Sequence, residues 1–144
     1  MKALTICQPY AELILLGEKR VENRTWSTPF RGKILLHAGK SRAWLDSYSP
    51  LPERMDFGAI VGRMELVECV AKSKLENWRR FGLSSPSAWL LQHPHSEGPI
   101  LWVLGKVARL ATPIPWRGAQ GLFDVPDREL QRHNPRWLAV DGKR

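Results

Sequence analysis

The sequence predicts an α+β fold in which about five to six strands form a curved sheet closing toward a barrel, with short flanking helices. Two strand-like runs, 58–70 and 100–110, each carry an internal glycine (Gly62 and Gly105) where a long strand can bend. The helical stretches between them are short and bounded by proline or glycine. No repeat, low-complexity tract or linker interrupts the 144 residues, so 1–144 reads as a single domain.

The elements follow in order. Lys2–Ile6 is a short strand. Gln8-Pro9 then opens a helix, since proline is favoured where no backbone N–H is needed. Tyr10, Leu13, Ile14 and Leu16 lie at helical spacing, and Gly17 is the stop. Glu18–Trp26 is an extended segment with charged groups on one side. Arg31–Ala38 is a nearly continuous apolar run between Gly32 and Gly39, a strand. Residues 40–48 form a short helix or turn, and Pro50 and Pro52 mark a loop. From Val61 the chain alternates, with Val61, Arg63, Glu65 and Val67 on one face and Gly62, Met64, Leu66 and Glu68 on the other. Residues 74–92 are helical, broken near Gly82 and restarted near Ser85-Pro86. After the strand at 100–110, Pro113, Pro115, Gly118 and Gly121 make a turn-rich loop. A short helix at 127–133 and a strand at 137–140 end the chain.

Composition narrows the function. The formal net charge is +8, from 22 Lys and Arg against 14 Asp and Glu, which points to a polyanionic partner. There are 7 Trp, and any that are exposed are stacking platforms for bases. Cys7 and Cys69 have neither zinc-ligand spacing nor a disulfide framework and read as buried free thiols. Gln8 and Glu12 interrupt the opening apolar stretch, so it is not a signal peptide, and no run reaches the ~20 apolar residues of a membrane helix. The expected location is the cytoplasm.

The most informative stretch is Gly17–Arg24, with the spacing GxKxxExR set by Gly17, Lys19, Glu22 and Arg24. In an extended segment Glu22 and Arg24 point to the same side, so a charged group forms beside the helix stop. This motif resembles that of the ASCH family in the PUA-like superfamily. Lys2–Ala11 is similar to the family's first strand and aromatic turn, with Tyr10 in the aromatic place. Phe30–Ala38, Gly58–Gly62 and Trp116–Phe123 resemble later family segments in the family's order, with Phe123 where a Trp is usual. The resemblance implies a PUA-like β-barrel with a cleft beside the first helix, and RNA or nucleotide ligands.

Residue chemistry fits such a cleft. Arg24 offers a planar fork for phosphate or a base edge, and Lys19 a point charge. Glu22 orients both or accepts from a base amino group. Gln8 has the donor and acceptor to read a base, and Tyr10 and Trp26 have faces to stack one. Arg117 and Gly118 lie in a glycine-rich loop whose backbone N–H groups suit an anion. His37, in an apolar strand, reads as a satisfied buried histidine. The expected partner is RNA, with DNA or a modified nucleoside next, and neither a cofactor nor a metal is expected. The alternative is a ribonuclease with Lys19 and Glu22 catalytic, possible with a divalent metal. The resemblance also includes an amidohydrolase branch acting on 4-acetylcytidine, which uses a Lys, a Thr three residues later and a Glu on the central strand. Here Glu22 stands in the Thr place, Thr25 is six residues after Lys19, and Glu65 or Glu68 would supply the carboxylate. A protein-interaction module is the remaining reading.

Overall fold

A computed structural model of the chain describes residues 1–80 and 89–140. The elements are β1 (Lys2–Ile6), α1 (Tyr10–Leu15), β2 (Val21–Arg24), β3 (Gly32–Ala38), a 3-10 turn (Leu45–Ser47), β4 (Ala59–Ala71), α2 (Lys72–Arg80), α3 (Trp89–Gln92), β5 (Ile100–Pro115), β6 (Phe123–Asp124), α4 (Asp127–Gln131) and β7 (Trp137–Ala139). The expected break near Gly82 and restart near Ser85-Pro86 lie outside the described residues.

The strands form one mixed sheet of seven in the order β2-β5-β4-β3-β1-β6, with β7 also on β5. The β1–β3 pair is parallel and the other pairs are antiparallel. β4 runs along one edge of β5, so β2, at Ile100–Val103, and β7, at Ala108–Leu110, share the other edge. The expected barrel does not close. Among the described residues β2 and β6, the ends of the path, do not pair with each other. The reason is length: β6 has two residues and covers only Lys2 and Ala3 of β1. Near the other end of β1 a side chain makes the connection, since Arg24 of β2 donates to the Thr5 carbonyl at 2.8 Å.

The expected bend at Gly62 is present. Val61 is passed over in both of the ladders that β4 makes, a bulge that re-aims the strand. A Cβ on Gly62 would lie 2.5 Å from the Ala108 carbonyl oxygen and 2.6 Å from Leu15, so α1 seats against the sheet where no side chain fits. β5 is longer than expected, because Pro113 and Pro115 continue the strand instead of starting the loop; Ile114 and Pro115 pair with Ile60 and Ala59. Proline is tolerated where the ladder needs no N–H from it.

Both faces of β3 are buried. Ile34, Leu36 and Ala38 join Leu4, Ile14, Leu15, Met64 and Trp102 under α1, and Leu35 joins Ile60, Leu110, Ile114 and Leu130 under α4. A third cluster, Val21, Leu75, Leu90 and Leu101, fixes β2 against the helices that follow β4. Fully burying each such aliphatic side chain contributes about 1.5–3 kcal/mol. α1 is pinned further by the buried Glu12 carboxylate, which pairs with both terminal nitrogens of Arg109 on β5. Cys7 and Cys69 are free thiols, half-buried and not fully enclosed as expected, and burial pushes the Cys7 thiol up. Among the described residues no helix is long and apolar enough to cross a membrane.

Candidate functional site

The site is built where α1 ends. Gly17 adopts φ +82°, a left-handed conformation that L side chains rarely take. Its N–H bonds to Ile14 O at 3.0 Å and that of Glu18 to Leu13 O at 3.0 Å, closing a Schellman turn. The Lys19 N–H also bonds to Leu13 O, at 3.1 Å, which folds the chain back toward the sheet. β2 then pairs with β5, and Glu22 and Arg24, two residues apart, share a face. Lys19 Nζ lies 3.5 Å from Glu22 Oε1, and Arg24 Nη2 lies 2.8 Å from Glu22 Oε2. One carboxylate therefore holds two cations. Lys19 is 4% exposed, with its Nζ 5.5 Å from the centroid of the Tyr10 ring. Burial holds the Lys19 amine below the usual lysine range, against the opposing pull of Glu22.

These groups line a cavity of about 330 Å³. One wall is the end of β1 with Thr5, Ile6 and Cys7, and another is β2 with Glu22, Asn23 and Arg24. A distant segment completes it with His95 and Glu97. Asn23 ties that segment down: its Nδ2 donates to His95 O at 2.8 Å, and its Oδ1 accepts from the N–H groups of Glu97 at 2.9 Å and Gly98 at 2.8 Å. His95 stacks on Tyr48 at 5.9 Å and meets Tyr10 edge-on. Beside it, His93 accepts the Arg20 N–H at 3.1 Å; burial, helped by His95, Arg20 and Lys19, pushes its pKa down to about 4. Trp44, 54% exposed, is part of the lining and leaves an indole open to a ligand. The cavity so combines a carboxylate, an amine, a guanidinium and aromatic faces. Among the described residues no cluster of His, Cys, Asp and Glu is placed to hold a metal ion.

Of the residues singled out from sequence, Tyr10, Lys19, Glu22 and Arg24 are brought together here. Gln8 is placed elsewhere. It is 0% exposed; its Nε2 donates to Asp56 O at 2.8 Å and its Oε1 accepts the Glu12 N–H at 2.9 Å. It shapes the turn that carries Tyr10 and has no free edge for a base. Trp26 packs edge-to-face on Trp102 at 4.8 Å and borders a neighbouring groove together with Arg24. Arg117 and Gly118 border a second cavity with Thr5, His37 and Lys40. His37 is satisfied there, as expected: Nε2 lies 2.7 Å from Trp116 O and must donate, so Nδ1, 3.0 Å from Thr5 Oγ1, accepts in the neutral ring. Burial lowers its pKa. Neither Glu65 nor Glu68 lines the Lys19 cavity, and Glu68 is exposed and paired with Arg31 at 2.6 Å. Thr25 is exposed and outside the lining as well.

The sequence reading passed over Thr5, Asn23, Trp44, His95 and Glu97. Asn23 stood inside the motif, and His93-Pro94-His95 was visible as a paired histidine, but nothing local ties either residue 95 or residue 44 to residue 19.

A mixed sheet around a short buried helix, with a charged cleft at the helix stop, defines a PUA-like α+β module. The chain belongs to the ASCH domain family, whose model matches residues 4–109. Its fold is similar to the crystal structure of ASCH from Zymomonas mobilis, with a TM-score of 0.57 and 16% identity over 95% of this chain and 96% of that one. A point variant of the same protein matches with a TM-score of 0.54 and 18% identity, over 92% of this chain and 93% of that one. Among curated proteins the chain is similar to activating signal cointegrator 1 of Mus musculus, 25% identical over 126 residues, and of Homo sapiens, 24% identical over 126 residues. Each match covers 70% of this chain and 22% of the relative, so the chain spans about a fifth of the length of those proteins.

Proposed function

We propose that the chain binds RNA through the Lys19–Glu22–Arg24 cavity, holding one base inside it. One observation carries the reading: a single buried carboxylate fixes an amine and a guanidinium on either side of it, in a cavity that also contains an exposed indole. The volume of about 330 Å³ lies at the small end of ligand pockets, which suits one nucleotide unit. Glu22 accepts from a base amino group, Arg24 and Lys19 donate to a base carbonyl or phosphate, and Trp44 stacks on the face at about 1–3 kcal/mol. The family membership and the net charge of +8 support a nucleic-acid ligand. The test is fluorescence titration of single-stranded RNA into the parent, Lys19→Ala and Trp44→Ala. Affinity should fall in both variants, with the parent's binding weakening steeply as salt rises. Equal affinity in all three proteins would rule the cavity out.

A second reading, RNA hydrolysis, is favoured by the burial of Lys19. Its lowered pKa raises the share of neutral amine able to take the proton of a ribose 2′-hydroxyl. That oxygen then attacks the adjacent phosphate and breaks its bond to the 5′-oxygen of the next nucleotide, while Arg24 faces the developing charge. The leaving 5′-oxygen takes a proton from water, and water then opens the 2′,3′-cyclic phosphate. Denaturing gels separate the readings: hydrolysis shortens the RNA, and Lys19→Ala spares it.

A further inference from the structure

Three surface cavities meet at one residue. Thr5 lines the Lys19 cleft, the cavity of about 270 Å³ beside Lys40 and Arg117, and a groove of about 630 Å³ beside Trp26 and Gln120. Arg24 lines both the cleft and the groove. The loop after β5 supplies a wall to the two outer spaces, 116–118 to one and 119–121 to the other.

Their chemistry differs from that of the cleft. The cleft carries the carboxylates of Glu22 and Glu97 beside its cations. The lining of the outer two includes Arg24, Lys40 and Arg117 and no Asp or Glu among the described residues. The loop adds backbone donors. Trp116 N–H bonds to Gly58 O at 3.1 Å, but the N–H groups from Arg117 to Gly121 have no partner among the described residues. The loop is held close to the sheet, since a Cβ on Gly118 would lie 2.7 Å from Thr5 Oγ1 and 2.8 Å from His37. Arg24 sits at the junction. Its Nη2 serves Glu22 and the Thr5 carbonyl, while its Nη1 takes no partner among the described residues. A mixed donor and acceptor cleft suits a base edge, whereas a carboxylate-free groove of cations and unpaired N–H groups suits phosphate.

We propose that the outer spaces form a phosphodiester track continuous with the cleft. A base enters the cleft, the backbone leaves over Arg24, and the neighbouring phosphates run along the 117–121 loop to Lys40 and Arg117. This rests on the RNA reading of the cleft and narrows its ligand to a single-stranded oligonucleotide, as opposed to a free nucleotide.

The test uses a double variant, Lys40→Ala with Arg117→Ala. Both side chains are exposed and make no hydrogen bond or ion pair among the described residues, and an unchanged urea midpoint confirms the fold. Binding is measured for a labelled short single-stranded RNA pool of mixed sequence and, by competition, for the four ribonucleoside monophosphates, with Lys19→Ala alongside. The double variant should bind the RNA about tenfold more weakly, with a salt slope smaller by about 1.4 for two lost phosphate contacts, and should bind mononucleotides as the parent does. If the double variant keeps the parent's RNA affinity and slope while Lys19→Ala loses affinity, the track is wrong and the cleft stands. Mononucleotides bound by the parent as tightly as the RNA also overturn the track. If Lys19→Ala binds RNA like the parent, the cleft reading falls and the track falls with it.

Discussion

Lys19 is a charged side chain kept where charge is disfavoured. Its amine is buried, and burial outweighs the attraction of Glu22, so its folded pKa lies below the ordinary value. Between the folded and unfolded values the unfolded chain holds more protons, so stability rises with pH across that window and the buried charge is a burden at neutral pH. Replacing Lys19 with Met should therefore raise the urea midpoint while weakening RNA binding, because Glu22 keeps Arg24 at 2.8 Å. A lower midpoint in Lys19→Met would contradict this. Glu22→Gln does the opposite: it leaves two cations facing a neutral amide and should destabilise the protein by about 3 kcal/mol, measured by urea unfolding at pH 7. These residues were legible in the sequence because they are neighbours in one strand and one turn. Gln8 looked equally suited to a ligand, but the turn that leads into α1 directs its amide inward to the Glu12 N–H, a demand that residue type alone does not announce.

At the scale of elements, the segment at 95–98 depends on β2 through one side chain. Asn23→Ala removes three hydrogen bonds to it and should lower stability by about 1–3 kcal/mol and weaken RNA binding, since His95 and Glu97 lose their place in the wall. Asn23→Asp retains the acceptor for the Glu97 and Gly98 N–H groups and should retain more of both; parallel urea and binding titrations of the two variants check the order. β1, α1 and β3 could be read from sequence because each carries its own period and its own stop, as Gly17 does for α1. The openness of the sheet could not, because it depends on how short β6 is and on Arg24 reaching Thr5 across the gap. The continuation of β5 through Pro113 and Pro115 was hidden for a related reason: a proline reads as a break until the partner strand shows which N–H groups the ladder needs.

Over the whole molecule, burial of histidines sets the response to acid. His93 is pushed down to about 4, and burial lowers His37 and His95 as well. Their unfolded values lie near 6.5, so as pH falls from about 6.5 toward 4 the unfolded chain takes up protons that the folded one refuses, and stability declines. Urea midpoints should drop between pH 7 and pH 5. His93→Gln, whose amide oxygen can still accept the Arg20 N–H, should flatten that drop, and an equal slope in parent and variant would show that His93 does not contribute. On the proposed reading, the net charge of +8 draws a polyanion from a distance, while the paired charges of the cleft decide what is held. The most direct test is the affinity of single-stranded RNA for the parent and for Lys19→Met under identical salt, with the urea midpoint of each measured alongside. RNA bound at least tenfold more weakly by a variant that is as stable as the parent or more so is the predicted result. A variant that binds RNA as the parent does would contradict the account and place the nucleic-acid site away from the Lys19–Glu22–Arg24 cavity.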